Sequence, residues 1–101
     1  MATTTKALFR GAATTTVGTT LYTVPAATTT VVTSIVVTNT AASAGTFTIG
    51  LGGTNIATTV TVGSYDSTVI DLKQVLTATQ TITGGASATT INFHISGVEI
   101  S

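Results

Sequence analysis

Cysteine and tryptophan are absent from the sequence, proline occurs once, and charged side chains make up only 6% of 101 residues. Without cysteine there is neither a disulfide framework nor a thiolate zinc site, so the fold must hold by packing alone. The cations Lys6, Arg10 and Lys73 are balanced by Asp66, Asp71 and Glu99, and no run of like charge occurs. Duplex binding needs clustered Lys and Arg to displace counterions, and three scattered cations form no such patch, which argues against a nucleic acid partner. A polybasic membrane contact fails for the same reason. The longest apolar-rich stretch, Val31 to Val37, is far too short to span a bilayer as a helix, and Arg10 interrupts the early apolar residues, so no secretory signal is read.

What is present is threonine, roughly a quarter of the chain, together with valine and isoleucine in alternation, while good helix formers are scarce. Hydrophobic residues reach 43%, which sets the chain apart from disordered sequences that pair low hydrophobicity with high charge. The length suits one compact domain. Period-two patterning predicts strands over Lys6–Ala12, Thr19–Val24, Thr28–Asn39, Thr46–Leu51, Ile56–Val62, Ser67–Leu72 and Thr79–Thr83, with a last strand from near Thr89. Phe47, Ile49 and Leu51 share one face. Thr28–Asn39 is apolar on both parities, with Val31, Ile35 and Val37 on one side and Val32 and Val36 on the other. That pattern predicts a central strand covered on both faces.

Gly52-Gly53-Thr54-Asn55 predicts a hairpin turn, Gly63-Ser64-Tyr65-Asp66 and Gly84-Gly85-Ala86-Ser87 predict further turns, and Pro25 suits a strand end. Lys73–Leu76 is the one place for a helical turn. In the last strand Ile91, Phe93 and Ile95 have one parity and Val98 and Ile100 the other, which predicts a β-bulge near Gly97 returning Val98 and Ile100 to the core. The triplets Thr3–Thr5, Thr14–Thr16 and Thr28–Thr30 fall at unequal intervals and form no solenoid repeat. Seven or eight short antiparallel strands without βαβ alternation predict an all-β sandwich or small barrel, the sandwich being the first choice. Residues 1–17 are either an N-terminal arm or the first strand, and 18–101 form the sandwich domain.

The search for chemistry finds no catalytic, cofactor-binding or metal site. His94 has the parity opposite Phe93 and Ile95 and should face solvent or a neighbouring subunit. Ser96 shares its face, but no Gly-x-Ser-x-Gly elbow exists to present a nucleophile. Three carboxylates and one histidine show no metal-ligand spacing, and Asp66 and Asp71 differ in parity, which does not suit a facing glycosidase pair. Gly50-Leu51-Gly52-Gly53 lacks the spacing of a phosphate cradle and precedes a strand. Phe9, Tyr22, Phe47, Tyr65 and Phe93 are too dispersed for a base- or sugar-stacking platform; Phe47 and Phe93 read as core. The Thr-x-Thr pairs at Thr46, Thr59 and Thr81 are too irregular for an ice-binding array and match an ordinary exposed strand face. No small-molecule substrate is implied, and a non-enzymatic role is expected.

Leu21-Tyr22-Thr23-Val24-Pro25-Ala26 followed by Thr30–Asn39, then Ser67-Thr68-Val69-Ile70-Asp71-Leu72 and the ending His94–Ile100, resembles small structural proteins of tailed bacteriophages. In those proteins a strand ending in a Tyr-x-Val-Pro-Ala turn leads into a long central strand. Where related chains have a Gly-Asp turn, this one has Thr79-Gln80. The resemblance spans most of Leu21 to Ser101. It implies an immunoglobulin-like sandwich, a place on the virion and a capsid decoration (cement) role. The implied partners are the major capsid protein and copies of itself, with a homotrimer as one arrangement. It carries over no site residues, since such a role belongs to surfaces; a tail, baseplate or head-fibre component is the alternative, ahead of a secreted adhesion or glycan-binding module.

Overall fold

The computed structural model describes residues 2–101 and leaves Met1, the first residue of the arm-or-strand segment, outside the described residues. Those residues form eight strands and no helix: β1 Thr3–Ala12, β2 Thr19–Thr23, β3 Thr29–Asn39, β4 Gly45–Leu51, β5 Thr54–Val62, β6 Ser67–Leu76, β7 Thr81–Ala86 and β8 Ile91–Ile100. The segment that the sequence leaves as arm or strand is a strand, paired antiparallel with β8 from Thr3↔Ile100 to Ala12↔Asn92.

Two four-stranded antiparallel sheets stack face to face, one in the order β1-β8-β3-β6 (sheet A) and the other β2-β7-β4-β5 (sheet B). The expected sandwich is therefore present, with a different connectivity. Immunoglobulin domains place the first strand beside the second in one sheet. Here β1 pairs with β8, and six of the seven connections cross from one sheet to the other. That is the double Greek key of a jelly roll. The exception is the β4–β5 hairpin, closed by Gly52 and Gly53 with φ of +60° and +87°, a conformation that glycine adopts without Cβ strain.

Alternation explains the core. Phe47 and Ile49 from β4, Ile82 from β7, Ile35 and Val37 from β3, and Ile91, Phe93 and Ile95 from β8 are essentially fully buried. The rings of Phe47 and Phe93 meet edge to face at 6.2 Å and 71° between the sheets. Burying each such side chain contributes about 1.5–3 kcal/mol, and sheet-to-sheet packing is where most of this chain's apolar area goes.

Several sequence-based expectations are corrected by the ladders. Thr33 is an extra residue in β3 opposite the Ser96–Gly97 step of β8. It switches parity, so Val32 joins Ile35 and Val37 inside while Val31 and Val36 turn outward. The bulge expected near Gly97 is present, but its extra residues are Leu8 in β1 and Thr33 in β3, and β8 itself runs on without one, so Val98 and Ile100 are not returned to the core. Gly97 points inward, where a Cβ would strike the Val31 carbonyl and lie 2.8 Å from Leu8 Cδ1, and Val98 and Ile100 stay half-buried on the outside. Lys73–Leu76 is strand instead of helical turn, since Gln74, Val75 and Leu76 pair with Val32, Val31 and Thr30. Tertiary pairing overrides the weak local preference there. Gly84–Ala86 belong to β7, not to a turn, and the absence of side chains at Gly85 admits the Thr16 and Val17 backbone, whose nearest atom would lie 2.5 Å from a Cβ.

Candidate functional site

Three features of the surface stand out once the strands are placed. The first lies at the end of the sandwich where sheet A overhangs sheet B. Continuing the inward parity of Phe93, Ile95 and Gly97 brings Glu99 to the inner side, in a row with Thr4 on β1 and Thr30 and Leu76 beyond it. Its carboxylate is 15% exposed and pairs with Lys6 Nζ at 3.4 Å. From sheet B the Tyr22 hydroxyl donates a hydrogen bond to Glu99 Oε2 and lies 2.9 Å from Thr30 Oγ1. Burial, then the bond to the Glu99 carboxylate, pushes the Tyr22 phenol above its ordinary value of 10.0, although the Thr30 hydroxyl pulls the other way. One ionic group is thus held between the sheets by Lys6 of β1 and Tyr22 of β2. This arrangement clasps the two sheets and offers no open ligand position.

At the opposite end, Asn39 closes β3 with its side chain buried. Its amide nitrogen donates to the carbonyls of Ser43, Val62 and Gly63, and its oxygen accepts from Ala41 N–H at 3.0 Å. Two loops are thereby tied to one side chain. The β5–β6 loop that results holds Tyr65 at its tip with φ +53°, its N–H bonded to the Ala41 carbonyl at 3.0 Å and 74% of its surface exposed. Asp66, beside it, accepts from the Ser67 N–H at 2.8 Å and so serves the turn.

The third feature is the distribution of charge. Lys6 and Arg10 lie on β1, Asp71 and Lys73 on β6, Glu99 on β8 and Asp66 in the β5–β6 loop, so the four strands of sheet B carry no charged residue. The outward residues of sheet B include the hydroxyls and glycines Thr46, Thr48, Gly50, Thr83 and Gly85, with the Asn55 amide beside Gly50. The uncharged β1–β2 connection crosses them at Gly85. Beside it a shallow groove of about 200 Å³ is floored by Thr48 and Gly85 and rimmed by Val17 and Thr59.

His94 is exposed on the outer face of sheet A, as its parity indicates. It lies in register with Arg10 and Val36, while Ser96 occupies the next outward row with Ala7, Ser34 and Asp71. Strand β3 separates Asp71 from Ser96, about 10 Å across two strand spacings. The structure therefore does not bring His94, Ser96 and an aspartate into a relay. Asp71 instead borders an open concavity of about 500 Å³ with Thr33, Leu72 and Lys73, formed where Thr33 opposes Leu72 and Lys73. Among the described residues no three of His, Asp and Glu gather as metal ligands. Glu99 and Asn39 are the residues that sequence reasoning missed, and the uninterrupted odd parities of β8 and of Ile35–Val37 carried the signal for both.

No family model matches the chain, and no curated protein matches it.

Proposed function

We propose that the chain is a non-enzymatic virion structural protein, a capsid decoration protein that binds the outside of a tailed-phage head and braces capsomer contacts. The observation that carries this reading is the charge-free side of the sandwich formed by sheet B and the β1–β2 connection. Burying an unpaired charge at an interface costs several kcal/mol, whereas threonine hydroxyls and backbone groups pair readily across one. A surface with no charge to desolvate is suited to lying permanently against another protein. The phage-like stretches Leu21–Asn39, Ser67–Leu72 and His94–Ile100 supply the particular setting, with the major capsid protein and like copies as partners.

The test is imaging of purified particles that contain the chain, with copy number counted. Hundreds of copies spread over the shell are expected. A handful confined to tail or vertices would transfer the role to a tail, baseplate or head-fibre component.

A further inference from the structure

Strand β3 is apolar on both sides, a pattern typical of strands covered on both faces. Its inner side meets sheet B, but its outer residues Val31 and Val36 have only neighbouring strands beside them. In register across the outer face of sheet A run two rows, Val69-Val36-His94-Arg10 and Val75-Val31-Val98-Thr5, with the small row Asp71-Ser34-Ser96-Ala7 between them. Val69 and Val75 are each 61% exposed. On sheet B the β1–β2 connection crosses the corresponding surface at Gly85; among the described residues no segment crosses this one.

We infer that the outer face of sheet A is a self-association surface, whose occupant is the same face of a second copy related by a two-fold axis parallel to the strands. Three observations favour a like copy. The face is large enough: four strands about 4.8 Å apart and about ten residues long present roughly 600 Å² in projection. That is of the order of the ~800 Å² of accessible surface each partner gives up in a standard interface. Its centre, on β3 and β8, carries no formal charge, as interface centres generally do. Its edges carry charge of both signs, Arg10 on the β1 edge and Asp71 beside Lys73 on the β6 edge, and a like copy can set Arg10 against Asp71.

The stated axis lays β8 over the second copy's β3 and β1 over its β6. Val98 then meets Val31, and Val36 meets the His94 ring. Arg10 comes over Val69, two residues or about 7 Å along the strand from Asp71, within reach of an arginine side chain. An isologous contact makes each of these pairings twice. Edge-to-edge continuation of the sheet is a poorer route, because both edge strands are interrupted, β1 at Leu8 and β6 at Leu72–Lys73.

This inference deepens the assembly reading by naming the surface that joins like copies, and it is tested on the purified full chain, apart from any particle. Sedimentation equilibrium from about 1 μM to about 1 mM, a span that covers weak and moderate dimers, should show the mass rising from 10.0 kDa towards twice that value. Val69→Asp with Val75→Asp should raise the dissociation constant at least ~100-fold; the milder Val69→Thr with Val75→Thr, compatible with any strand, should raise it about tenfold. Arg10→Asp alone and Asp71→Arg alone should each weaken association, and the two together should restore it, the signature of the proposed crossing. A monomer throughout the range, association untouched by both valine pairs, or failure of the charge exchange to restore it would overturn the inference. A monomer that still coats shells would leave the decoration reading standing, and a dimer absent from particles would remove that reading alone.

Discussion

Replacing Gly97 by alanine adds one methyl group on β8 between its partners Lys6 of β1 and Val32 of β3. The backbone of Gly97 is outside the left-handed region, so alanine meets no conformational penalty there. The cost is steric. Its Cβ would collide with the Val31 carbonyl oxygen and lie 2.8 Å from Leu8 Cδ1. Leu8 is a side-chain tip that has some freedom to turn away; the Val31 carbonyl belongs to a central strand held on both sides by β8 and β6. Overpacking of a tight core costs about 1–3 kcal/mol, and a backbone obstacle places this case near the top, about 3 kcal/mol.

Against a stability of roughly 5–15 kcal/mol for a chain of this size, that is a large share. At about 4–8 °C per kcal/mol it corresponds to a fall in Tm of roughly 12–24 °C. Urea unfolding followed by far-UV circular dichroism measures it directly. The matched control is Gly11→Ala, where the nearest atom to the new Cβ is Phe9 Cζ at an ordinary 3.6 Å. Here the same substitution should stabilise by ~0.4–1 kcal/mol through the unfolded state. Combining Gly97→Ala with Leu8→Ala should recover none of the loss attributable to Val31. A Gly97→Ala protein within ~0.5 kcal/mol of the parent, or fully rescued by Leu8→Ala, would refute the assignment of the strain to the β3 backbone.

Three further outcomes are expected. Tyr22→Phe removes the hydroxyl that joins Glu99 and Thr30 and should cost ~1–2 kcal/mol in urea titrations. Because the folded-state Tyr22 value is raised, the unfolded chain loses its phenolic proton first. The parent should therefore lose stability as pH rises above about 10, and more steeply than Tyr22→Phe. Asn39→Ala leaves three carbonyls and one N–H of two loops without this partner; a loss of about 3 kcal/mol and faster proteolytic nicking near residues 63–66 are expected. Phe93→Ala, which removes a fully buried ring and its edge-to-face contact with Phe47, should cost about 3–5 kcal/mol by thermal or urea unfolding.

Strand existence was legible because period two survives in single segments: Phe47, Ile49 and Leu51 point inward as written, and so do Ile91, Phe93 and Ile95. The parity switch in β3 was not, because Thr33 becomes an extra residue only against the registers of β6 and β8. Those partners lie tens of residues away in the chain. The same non-locality hid the strand order: nothing within Thr3–Ala12 specifies pairing with Ile91–Ile100. Gly84-Gly85 looks like a turn by composition and is strand because another segment's backbone crosses it. Of the surface features, the position of His94 followed from alternation, whereas the charge-free sheet needed the strand-to-sheet assignment before it was visible. The inward Glu99 required trusting the parity of β8 through Gly97 instead of breaking it there.

Strand β8 lies between β1 and β3, and this order sets a timetable for synthesis. When β1 and β3 have both been made, neither can take its final neighbour, because β8 follows β1 by some eighty residues. At about 5–20 residues per second the first strand waits several seconds beside a half-built sheet. In the finished fold the pairing that waits longest is closed along its whole length, out to Ala2 and Ser101, which exchange backbone hydrogen bonds of 2.8 and 2.9 Å.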